Sequence, residues 1–115
     1  MNETFIVVKW DLGGTHNWPD APIEYAVLRN KHGHIFHFEV QISVSASRQI
    51  EFLEARRRLM RATIAEYGPE PCDFRDKSCE DLANALIDCI GVIYGCGAIV
   101  RVFEDMFVGA EVRRL

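Results

Sequence analysis

The run from His32 to Ala46, HGHIFHFEVQISVSA, constrains the chain most, because apolar and polar residues alternate along it. Side chains alternate across a strand, so Phe36, Phe38, Val40, Ile42 and Val44 project one way. His37, Glu39, Gln41 and Ser43 project the other. A long, half-buried strand is predicted, and its apolar side needs a partner layer. Thr4 to Trp10 is β-branched and aromatic and reads as an earlier strand, closed by a turn signal at Asp11-Leu12-Gly13-Gly14. Ala98 to Glu104 and Val108 to Arg114 read as a second pair of strands joined by a tight connection.

Helical spacing fills the interval between the strand pairs. Ile50 to Tyr67 lacks Gly and Pro and sets Phe52, Leu53, Leu59, Met60, Ile64 and Tyr67 near one stripe, ended by Gly68-Pro69. Ser78 can cap a second helix, with Glu80 and Asp81 in its first turn, where they favour the positive end of the dipole. Leu82, Ala83, Leu86, Ile87, Ile90 and Ile93 supply its stripe, ended by Gly95. The order β-β-α-α-β-β predicts an α+β fold, with a four-stranded antiparallel sheet and two helices on its apolar face. Residues 1–115 read as one domain, without repeats or linker. A chain of 115 residues leaves much apolar surface uncovered when it folds alone, so a deep site is more readily built between subunits.

A net charge of −4 argues against affinity founded on nucleic-acid phosphates. The basic cluster Arg56-Arg57-Arg58 has Glu51 and Glu54 beside it and reads as a solvated helix face. No apolar run approaches the roughly 18 residues of a membrane span, and no leader pattern opens the chain, so a cytoplasmic protein is expected. Four cysteines without CxxC spacing predict reduced thiols. Cys79 and Cys89 fall toward a helix's apolar face, whereas Cys72, in a Pro-rich connection, is expected to be exposed.

All four histidines lie between positions 16 and 37. His32 and His34 share a strand face, with Gly33 adding no bulk between them. Two imidazoles so placed can hold one metal ion, and His16 can supply a third ligand. Three neutral nitrogens with an open fourth position suit catalytic zinc; hydrogen-bonded or exposed histidines are the metal-free alternative. His37 has the opposite parity and reads as a second-face residue. Glu104 ends an apolar row formed by Ala98, Val100 and Val102. It calls for a paired donor there, unless it meets water or an arginine such as Arg101 of another copy.

His16, the His32-Gly33-His34 triplet, Ile50-Glu51-Phe52, Ser78-Cys79-Glu80-Asp81-Leu82-Ala83 and Val102-Phe103-Glu104 together resemble the 6-pyruvoyltetrahydropterin and 6-carboxytetrahydropterin synthase family. The resemblance spans nearly the whole chain through the order and spacing of short motifs. It implies a tunnelling fold, in which subunits join their sheets into a barrel as a homo-trimer or homo-hexamer with sites at subunit interfaces. It also implies zinc on His16, His32 and His34, a pterin substrate (dihydroneopterin triphosphate in the family) and Glu104 on the ring's amidine edge. The chain departs from the family at Leu28, where the family carries its cysteine, and in the connection GPEPCDFRDK, which lacks the family's Asp-His pair.

That departure keeps the Lewis acid and removes the proton-transfer groups. Asp20, Glu24 and Asp73 are candidate replacements as acid or base, Asp73 equally a loop turn-former. Trp18 can stack on a planar ring or, with Leu28, pack the loop down. Glu80 is a further candidate for binding substrate, although first-turn capping also explains it. The expected function is a zinc-dependent lyase acting on a pterin or purine-like ring. A zinc-hydroxide hydrolase of another small substrate and a non-catalytic ring-binding assembly protein are the alternatives.

Overall fold

A computed structural model describes residues 2–115. Strand β1 (Thr4–His16) leads through a 3-10 helix (Ile23–Arg29) to β2 (His32–Val44) and helix α1 (Phe52–Tyr67). A short β3 (Cys72–Asp73), helix α2 (Cys79–Tyr94), β4 (Ala98–Glu104) and β5 (Val108–Arg114) complete the chain. The architecture is α+β, built on one five-stranded mixed sheet in the order β3-β1-β2-β4-β5. The four long strands pair antiparallel; β3 adds a parallel edge at Gly14 and Thr15.

The extra strand corrects the expected four-stranded sheet, and burial explains it. Cys72 and Phe74 are fully buried, so the connection after α1 is drawn onto the edge of β1, with Phe74 N–H donating to Thr15 O at 2.8 Å. Cys72 is therefore a core residue rather than an exposed one, and burial pushes its thiol pKa up. The expected turn at Asp11 to Gly14 is absent as well, since β1 continues through it to His16. Its glycines serve close approach: a Cβ on Gly14 would lie 2.4 Å from the Phe74 ring, and Gly13 N–H donates to the Glu70 carboxylate at 2.6 Å.

The core lies between the sheet and the two helices, α1 packing on β1 and α2 on β4 and β5. Val8, Trp10, Phe38, Val40, Val100 and Val102 meet Leu59, Leu82, Ile87 and Ile90 there. In α1 the buried residues are Ala55, Leu59 and Thr63, a four-residue repeat that leaves Phe52 and Leu53 of the first turn exposed, contrary to the predicted stripe. The Ser78–Asp81 capping box starts α2, and Gly95 ends it in the left-handed region at φ 63°.

On the open face, register aligns Lys9, Glu39, Arg101 and Glu111 across four strands. They form a ladder of alternating charge, with Lys9–Glu39 at 3.3 Å, Glu39–Arg101 at 3.9 Å and Arg101–Glu111 at 2.7 Å. Among the described residues no helix is long and apolar enough to cross a membrane.

Candidate metal centre

Register assembles the site. In the β1–β2 pair His16 lies opposite His32 and Gly14 opposite His34, and Phe36 pairs with Glu104 across β2–β4. Strand alternation then puts His16, His32, His34 and Glu104 on one face, the helix-covered one, beyond its last phenylalanine. The three imidazoles stand 4.6, 5.0 and 5.3 Å apart between centroids, and each offers a nitrogen within 4.8 Å of the others'.

Each ring is held from behind. His16 Nδ1–H donates to Lys77 O at 2.9 Å, and His32 Nδ1–H to Asn30 O at 2.8 Å. His34 Nδ1–H donates to Asp105 Oδ2 at 2.6 Å. All three partners are acceptors, so the proton sits on Nδ1 in every neutral ring and the Nε2 lone pairs are left for a ligand. Burial holds His16 below the ordinary histidine pKa, against the opposing pull of the Lys77 bond and the Glu104 carboxylate. The bond from His34, then that from Ile35 N–H, holds Asp105 below the usual carboxylate range.

Glu104 closes the arrangement, with Oε1 3.1 Å from His16 Nε2 and Oε2 3.5 Å from His34 Nε2. A carboxylate facing two lone-pair nitrogens, with a weak thiol donor as its other neighbour, is an arrangement that suits a cation. Neutral nitrogen donors with Nδ1–H fixed by carbonyls and a carboxylate fit zinc in particular.

The site opens into a cleft of about 620 Å³, lined by the three histidines, Glu104, Trp18, Leu28, Cys79 and Glu80 among others. Of the predicted residues, Trp18 and Glu80 therefore border the same space. Trp18 is 47% exposed and Leu28 half-buried, so part of the Trp18 side chain is open to solvent while the rest is covered; the 3-10 helix after it contains no buried residue. Asp20 and Glu24 do not line the cleft. Nor does Asp73, which faces Lys31 and accepts from Arg75 N–H at 3.0 Å, an ordinary turn-former. These three are not brought to the histidines: Asp20 and Glu24 are exposed within the loop that lines the cleft at Trp18 and Leu28, and Asp73 is exposed at the sheet edge.

Cys79 and Asp105 were not foreseen as parts of the site. The Cys79 thiol donates to Glu104 Oε1 at 3.8 Å, and burial with the nearby carboxylate pushes its pKa up to about 12, so it keeps its proton. Asp105 stands in the β4–β5 connection at φ 52°, a left-handed conformation that Asp tolerates. His37 lies on the opposite face, donating to Asp11 at 2.6 Å. No family model matches this chain, and no curated protein matches it.

Proposed function

We propose that this chain is a zinc-dependent enzyme resembling the 6-pyruvoyltetrahydropterin and 6-carboxytetrahydropterin synthases, and that it acts on a pterin or purine-like ring. One observation carries the proposal: three Nε2 atoms freed by their Nδ1 bonds converge with a carboxylate at the mouth of a cleft. His16, His32 and His34 would hold the ion. When bound, zinc supplies a Lewis acid that polarises a carbonyl or hydroxyl oxygen. Glu104 accepts paired N–H donors from the ring edge, Trp18 offers a stacking face at the rim, and Glu80 borders the same space.

The chemistry differs from the family's. Leu28 contributes a hydrocarbon wall where the family has a thiol, and Cys79, the thiol that does border the cleft, holds its proton too firmly to act as a nucleophile near neutral pH. A strand edge on β5 without a partner strand, with exposed Met106, Phe107 and Val108 beside it, and an edge of β1 that β3 covers only at Gly14 and Thr15 favour a homo-oligomer built through its sheets, a trimer or hexamer by resemblance. A cytoplasmic location belongs to the same proposal.

Zinc analysis of purified protein tests this directly, with about one ion per three-histidine site expected. The His32→Ala, His34→Ala double variant should lose it; retention of all the zinc refutes the proposal. Product analysis then distinguishes carbon–carbon cleavage, which releases a small aldehyde, from hydrolysis, which incorporates solvent oxygen. The absence of Asp20, Glu24 and Asp73 from the cleft favours a second reading, a ring-binding protein without turnover. Ligand-induced thermal stabilisation without product would support it.

A further inference from the structure

We infer that the cleft selects a ring substrate carrying no phosphate chain; this deepens the function proposed above and rests on it. The charges lining the cleft carry the inference. Asp76, Glu80, Asp81 and Glu104 face it with negative charge, and Lys77 is the one ammonium group among the lining residues. Lys77 is itself placed beside Asp76, Nζ to Oδ1 at 4.0 Å. In this chain's own lining, four carboxylates, one ammonium and a divalent ion at the histidines would leave negative charge in excess.

The other source of positive potential is the N-terminus of α2, which borders the cleft at Ser78 and Cys79. It is occupied in part and offset by charge. Ser78 Oγ accepts Asp81 N–H and Asp81 Oδ2 accepts Ser78 N–H, each at 3.1 Å, and Glu80 and Asp81 put two negative charges in the first turn. A phosphate chain entering here meets like charge, whereas a neutral ring with N–H donors meets Glu104. Lys31, the nearest cation in sequence to the histidine pair, is turned to Asp73 at 3.7 Å. Arg29, which donates Nε–H to Ala21 O at 2.8 Å, does not line the cleft.

The test titrates zinc-loaded, full-length protein with two matched pairs, dihydroneopterin and its triphosphate ester, and guanosine and its triphosphate. The unphosphorylated member of at least one pair should bind at least about tenfold more tightly at low salt, and added salt should narrow the ratio by screening. An Asp76→Asn, Glu80→Gln variant should narrow it too, with zinc content unchanged. Tighter binding of both triphosphates with zinc retained, or a ratio indifferent to salt and to the charge variant, overturns this inference alone. Loss of zinc binding, or binding of none of the four compounds, removes the proposed function and this inference with it.

Discussion

The two ends of the helix-covered sheet face share strands and parity yet have opposite chemistry. At one end Val8, Trp10, Phe38 and Val40 lie under α1 and α2 and are almost wholly buried. At the other His16, His32 and His34 continue the same alternation under a thinner cover, with both β2 histidines only half-buried. Phe36 marks the border, 4.6 Å from Phe74 on one side and 5.1 Å from His16 on the other. Strand alternation thus sets only which face a side chain joins. Whether the position stabilises the fold or binds a ligand depends on what the helices reach.

The strongest way to break this contrast is Phe36→Ala, which should cost about 3–5 kcal/mol in denaturant unfolding, since it opens a cavity under both regions. His34→Ala, two residues along the same strand, should instead remove metal affinity while changing metal-free stability little. Gly14→Ala comes next. Its Cβ would strike the Phe74 ring, so destabilisation of about 1–3 kcal/mol is expected by thermal or denaturant melting.

Asp105→Asn sharpens the contrast from behind the site. Losing the charged acceptor of His34 Nδ1–H should weaken zinc binding about 10–100-fold in competition with a chelating dye, with the fold intact. The last effect is a gradient with pH. Burial depresses the His16 pKa in the folded metal-free chain, so the unfolded chain binds more protons below its ordinary value near 6.5. The His16 contribution to stability is therefore complete above that pH and is lost as pH falls toward the folded value. His16→Gln should flatten this part of the stability–pH curve.

The sequence made the apolar face, the second helix and the β4–β5 pair legible because each rests on local periodicity or a cap. His16, His32 and His34 were legible as a set for the same reason, being close in sequence and alike in parity. What escaped depends on distant partners. Gly13-Gly14 spells a turn until Phe74 and Glu70 are packed against it. Cys72 sits among prolines that suggest a surface loop, yet its side chain completes the core. Asp105 is 71 positions from His34, and only the β2–β4 register joins them.

Because the triad depends on register, the proposed zinc would also bear on assembly of the sheet itself. Strand pairing that slips by one residue would set His16 opposite Lys31 or Gly33 and turn one strand's ligands to the other face. An ion gripped by all three nitrogens rewards one alignment of β1 and β2 and no neighbouring one. During folding it would act as a proofreader, adding stability to the correctly threaded hairpin in proportion to how far metal exceeds its dissociation constant. A strand pair joined by the long connection from Asn17 to Lys31 would in this way have its alignment checked at the pair that closes that connection, by chemistry rather than by a tight turn.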